Sequence, residues 1–198
     1  MRLSSLLLLL LVLLLSALAA PLPTTAQPAP WTEPQEPFQI ADGLYYVGSA
    51  GLAALLFTSD EGHVLLDAPL EDNVALVLAN IRALGFDPAD IRVHIASHAH
   101  FDHVGGLAAL ARATGGEVLI SEPDAPSVRA GDDFGLDTDG YPPVVPTRLL
   151  RHMDTVRVGD VALTAHLTPG HTPGCTSWSG SVELGGEALD FVVACSLS

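Results

Sequence analysis

Residues 95–106 read IASHAHFDHVGG. The chain has eight histidines in 198 residues, yet His98, His100 and His103 fall with Asp102 inside six positions. At this composition, chance clustering of that kind is on the order of one in a thousand. A solvated histidine-rich loop is therefore a weak explanation, and a metal site a strong one. The residues before the cluster, IRVHIAS, have the β-branched pattern of a strand, and GLAALARATGG behind it reads as a short helix opened and closed by glycine. A strand end leading into such a helix is where α/β folds usually carry their sites. In extended chain, residues two apart share a face, so His98 and His100 point at one ion. Asp102 and His103, on the turn that follows, face a second ion beside it. Imidazoles with one carboxylate suit Zn²⁺; Mg²⁺ or Ca²⁺ would want more carboxylates.

A further ligand must come from elsewhere. LTPGHTPGC, residues 167–175, places His171 between two Pro-Gly turn pairs at a strand end. His63, His94, His152 and His166 have no such partners and read as structural. Asp67, closing HVLLD, is placed either to orient a ligating histidine or bound water, or to cap a turn.

The rest of the chain frames this cluster. Residues 1–20, MRLSSLLLLLLVLLLSALAA, have the layout of a secretory signal peptide, with cleavage after about residue 20 or as late as 26. The leucine run is short for a full membrane span. Residues 21–37 are proline-rich and read as an extended arm. Then GLYYVGS, LAALLFTS and GHVLLDA read as strands, with a turn at Asp60-Glu61-Gly62. Val74, Val77, Leu78 and Ile81 recur at helical spacing, with Asp72 or Asn73 as cap and Gly85 as stop. EVLIS reads as a strand, the acidic Gly- and Pro-rich segment 131–146 as a surface loop, and TVRVGDVALTAHLT and TSWSGSVEL…ALDFVVACS as hairpins. Strands mixed with crossover helices argue for an α/β layered domain. VVACSLS stops straight after what reads as a buried strand, so a C-terminally truncated sequence is expected.

The net charge is −15, from 8 Lys+Arg against 23 Asp+Glu. Such a balance repels nucleic acid and anionic membrane surfaces. An anionic substrate would need a buried metal rather than a basic surface. Cys175 and Cys195 are consistent with one disulfide in an exported chain, or with two buried thiols. A serine-nucleophile hydrolase is disfavoured, since neither G-x-S-x-G nor S-x-x-K occurs.

SHAHFDHVGG resembles the H-x-H-x-D-H signature of the metallo-β-lactamase superfamily, with VLLDAPL and TPGHTPGCTSW resembling its flanking motifs in order. WTEPQEPFQIADGLYYVGS, YPP, TAHLTPGHTPGCTSW and the terminal SLS are similar to subclass B3. The resemblance implies an αββα sandwich over residues 38–198, with its second half incomplete. By the same resemblance His98, His100 and His171 hold a first zinc, and Asp102 and His103 a second. That second site is completed in the family by a later histidine, which this sequence does not contain. Where many superfamily hydrolases carry a bridging aspartate, this chain has Cys195-Ser196. Ser196 and Ser198 would then position substrate, with Cys175 bonded to Cys195; a one-residue shift would instead make Cys195 a thiolate ligand. The implied reaction is opening of a β-lactam ring in penicillins, cephalosporins or carbapenems by a metal-bound hydroxide that Asp102 aims. The expected protein is periplasmic or secreted, takes a small-molecule β-lactam as its partner, binds no nucleic acid and no membrane once its signal is removed, and is a monomer. The alternatives are another hydrolase of the same fold, acting on a lactone or thioester, and an inactive truncated fragment.

Overall fold

The computed structural model describes residues 29–134, 136 and 138–196. Residues 1–20, read as a signal peptide, residues 21–28 of the arm and Ser198 lie outside the described residues. The chain order is α1 (Ala29–Thr32), β1 (Phe38–Ala41), β2 (Leu44–Tyr46), β3 (Leu55–Ser59), β4 (Gly62–Leu66), α2 (Val74–Ala83) and β5 (Ile91–Ile95). There follow α3 (Phe101–Val104), α4 (Leu107–Thr114), β6 (Glu117–Ser121), α5 (Ala125–Ala130) and β7 (Arg148–Leu150). A meander of β8 (Thr155–Val158), β9 (Val161–Leu167), β10 (Thr176–Leu184) and β11 (Glu187–Val193) completes it.

Strands β1 to β7 form one sheet in chain order, and β8 to β11 form a second. The first sheet is antiparallel up to β4, then parallel from β4 through β7. Parallel strands need both faces covered, and all five residues of β4 are buried. Side-chain alternation then divides the core in two. Leu65 packs with Val77, Ile81, Leu107 and Leu110 beneath the helices. Val64 and Leu66 pack with Val156, Leu163 and Trp178 between the sheets. Trp178 is wholly buried, and its indole N–H donates to the Ala96 carbonyl at 3.1 Å, just before the histidine cluster. The residues of α2, α4 and α5 that enter either core cluster belong to the first. Among the described residues the layers therefore run helix, sheet, sheet: the expected sandwich with its second half incomplete.

Most predicted elements form, and their glycine stops work as expected. Gly115 ends α4 in the left-handed conformation, φ +76°. Four readings need correction. Asn73 does stand at the N-cap of α2, but its side chain makes no cap bond there. Its amide instead donates to the Trp31 carbonyl, fastening the proline-rich arm. The 131–146 loop is not purely surface, because Asp133 and Tyr141 are buried within it. The helix α5 and strand β7 lie in segments read as neither. Finally, β11 is an exposed edge strand rather than a buried one: among the described residues it pairs with β10 alone, and Val192 is 68% exposed. Apolar composition does not distinguish an edge from a centre.

Candidate metal centre

The centre is built where strands end on one side of the molecule. β5 runs out into Ser97–His98–Ala99–His100, and α3 carries Asp102 and His103. The segment after β9 carries His171, and Asp67 directly follows β4. Asp67 adopts φ +65°, a left-handed conformation that aspartate tolerates better than most residues. That bend turns its carboxylate back across the end of β5.

His98, His100 and His171 come together with their donor atoms within 4.8 Å of one another, and so do those of His98, Asp102 and His103. The two groups share His98. Ring centroids of the first three are 4.6 to 4.8 Å apart, an almost equilateral triangle. His100 Nδ1 and His171 Nε2 face each other at 3.1 Å. His103 Nε2 lies 3.7 Å from Asp102 Oδ2.

A hydrogen-bond chain sets the tautomers. Asp67 Oδ1 accepts the Ser97 N–H at 2.7 Å, and Oδ2 accepts the Ser97 hydroxyl at 2.9 Å and His103 Nδ1–H at 2.9 Å. With its proton directed at Asp67, the Ser97 oxygen is left to accept from His98 Nδ1 at 3.2 Å. Both rings then carry their proton on Nδ1 and present a bare Nε2. His98 Nε2 is buried and has no hydrogen-bond partner. A buried lone pair of this kind is costly unless it has a ligand, so the donor set fits a metal ion.

Electrostatics agree. Burial, then the neighbouring His103, His100 and His171, push His98 down to about 2, so its ring is neutral. Burial also lowers His100, against the pull of Asp133. His103 is likewise opposed by burial, but Asp67, by charge and hydrogen bond, and Asp102 raise it above its ordinary value.

Several residues at the centre were not picked out in the sequence. Ser97 links Asp67 to His98. Asp133 Oδ1 accepts the Phe101 N–H at 3.1 Å, and the Tyr141 hydroxyl donates to the Ala99 carbonyl at 3.0 Å. Asp124, 1% exposed, accepts three hydrogen bonds from the two histidine-bearing loops. Burial raises its carboxyl, and the bonds from Thr172, Gly174 and Ala99 pull it back. Cys175 and Cys195 are disulfide-bonded. Cys195 Sγ is 3.7 Å from His98 Nδ1. Because that sulfur is bonded to Cys175, the thiolate-ligand alternative is set aside. Ser196 follows it beyond the end of β11.

Comparison with known proteins gives a consistent picture. The family model described as "Metallo-beta-lactamase superfamily" matches residues 48–186. The hydroxyacylglutathione hydrolase of Anaeromyxobacter dehalogenans is 35% identical over 130 residues, 65% of this chain and 42% of that protein. The N-acyl homoserine lactonase AttM of Agrobacterium fabrum is 30% identical over 128 residues, 56% of this chain and 43% of that protein. Among solved structures, BJP-1, a subclass B3 metallo-beta-lactamase of Bradyrhizobium japonicum, is 39% identical with a TM-score of 0.80, covering 85% of this chain and 65% of that one. Native FEZ-1 metallo-beta-lactamase of Legionella gormanii is 34% identical with a TM-score of 0.82, covering 86% and 66%. The chain thus spans under half the length of these two curated relatives and about two thirds of these solved chains.

Proposed function

This chain belongs to the metallo-beta-lactamase superfamily, and on that premise we propose that it is an exported zinc hydrolase that opens the β-lactam ring of penicillins, cephalosporins and carbapenems. The observation that carries the reading is the donor set. Three imidazoles converge, Asp102 is the one carboxylate in the candidate metal groups among the described residues, and the position after β11 holds a disulfide cysteine and Ser196. The likeness to subclass B3 structures, 39% identical over 85% of this chain, supports the same choice. The disulfide fits an oxidising compartment, periplasmic or extracellular.

His98, His100 and His171 would hold the first ion, and Asp102 with His103 the second. An ion held by these residues would supply a Lewis acid for the lactam carbonyl and would lower the pKa of a water molecule from bulk toward ~7. Asp102 would accept a hydrogen bond from the attacking water and so aim it. Asp67 holds His103 in its ligating tautomer. Ser196 and Ser198 would help to position the substrate. Phe134, whose ring stands 6.1 Å from His100, gives the site an apolar wall.

The rival is lactone or thioester hydrolysis, the activities named for the curated relatives. The test is kcat/KM on a penicillin, a cephalosporin and a carbapenem against an acyl homoserine lactone and a glutathione thioester, with zinc and after EDTA. β-Lactam turnover that EDTA abolishes and zinc restores is expected. Turnover of the lactone or thioester, with every β-lactam left intact, would overturn the assignment.

A further inference from the structure

We propose that Asp124 is a positioning residue that locks the His98–His100 loop to the His171 loop and so sets the spacing of the three histidines. The inference rests on the metal-centre reading above. Asp124 Oδ2 accepts the Ala99 N–H at 3.0 Å, and Ala99 is the residue between His98 and His100. The same oxygen accepts the Thr172 hydroxyl at 2.8 Å, and Thr172 directly follows His171. Oδ1 accepts the Gly174 N–H at 2.6 Å. One buried carboxylate thus holds both loops, reaching 25, 48 and 50 residues along the chain.

The neighbourhood is shaped around that carboxylate. Asp124 stands at the N-cap of α5, the usual place for an aspartate to bond its own helix, yet it makes no cap bond there. Its acceptors are committed to the loops instead. A side chain at Gly174 would come within 2.7 Å of Asp124 Cγ and N, so the approach requires glycine. Besides the contact of His100 Nδ1 with His171 Nε2, the loops are tied among the described residues by the Thr176 N–H, which donates to the Ser97 carbonyl at 2.7 Å, and by the sulfur of Cys195 against that same carbonyl. None of these touches the peptide between His98 and His100. Asp124 does, from one side, while Tyr141 holds its carbonyl from the other.

The decisive comparison is between wild type, Asp124→Asn, Thr172→Val and Thr172→Ser. Zinc affinity is read by chelator competition, and the visible spectrum of the Co²⁺ form reports ligand geometry. Asp124→Asn presents an NH₂ group where an N–H must be accepted, and should weaken zinc about 10-fold or more, with shifted Co²⁺ bands. Thr172→Val should weaken zinc by a smaller factor, and Thr172→Ser should restore both readouts. A general loss of fold stability would move the melting temperature without altering the Co²⁺ spectrum of the folded fraction. If Asp124→Asn does not fold, Thr172→Val decides, since it leaves the carboxylate in place. Wild-type affinity and spectrum in the folded variants would overturn the inference alone. Failure of the wild type to bind zinc would bring down the metal-centre reading, and this inference with it.

Discussion

His100 Nδ1 lies 3.1 Å from His171 Nε2, though 71 residues separate them in the chain. At most one proton can sit between two such nitrogens. A tetrahedral ion with bonds of about 2.0 Å places its donors roughly 3.3 Å apart. The observed spacing is close to an edge of that tetrahedron, and His98 Nε2, buried without a hydrogen-bond partner, supplies a third corner.

Asp67→Asn should act on the metal and the fold together. The carboxylate accepts from the Ser97 N–H, the Ser97 hydroxyl and His103 Nδ1. An amide cannot accept all three, so a buried donor loses its partner at a cost of about 1–3 kcal/mol. Freed of its orienting partner, His103 should bind metal about 10- to 100-fold more weakly. Urea titration and chelator competition on one preparation measure the two effects.

Stability should fall in mild acid, with His94 as one identifiable cause. Burial lowers this histidine from 6.5 to about 4, and its Nε2 is paired with the Thr114 hydroxyl at 2.7 Å. Between those values the unfolded chain binds the proton and the folded chain does not. Stability is therefore undiminished above about 6.5, declines as pH falls, and has lost roughly 3 kcal/mol on this account near pH 4. Denaturant midpoints for wild type and His94→Gln, compared at pH 7 and pH 4.5, isolate the contribution. The variant should show the smaller pH dependence.

Reducing the Cys175–Cys195 disulfide should loosen the metal loops. The bond closes a loop of sequence separation 20, which the chain-entropy estimate values at about 3 kcal/mol. The double variant Cys175→Ser/Cys195→Ser should unfold at correspondingly lower urea, and wild type in a strong reductant should match it.

Gly105→Ala should destabilise, although alanine favours a helix over glycine by about 1 kcal/mol. Gly105 has ordinary helical dihedrals, so conformational freedom is not why it is glycine. A Cβ there would stand 3.0 Å from the Pro69 carbonyl oxygen and 3.3 Å from Leu70 Cα, backbone that cannot swing aside. Overpacking of this kind costs about 1–3 kcal/mol and should outweigh the propensity gain. Thermal melting reads the net sign.

What was legible in the sequence was local. The histidine cluster declared itself because its members share one short strand-end segment, and His171 because Pro-Gly pairs flank it. Asp124 was not legible: its partners lie 25 to 50 residues away, and nothing in its local sequence points to them. Asp133 was hidden in a run of acids that reads as solvated surface, yet it is buried and accepts the Phe101 N–H. The helix α5, six residues long, has too few turns to show a period. Strand β11 is apolar in composition, but its place at the sheet edge is set by topology rather than by pattern.

Zinc content after equilibrium dialysis, compared between wild type and the single variants His98→Ala and His171→Ala, tests the metal centre most directly. Wild type should retain a tightly held zinc, and each variant should lose it under the same free-zinc buffer. Undiminished zinc in either folded variant would contradict a centre built on His98, His100 and His171.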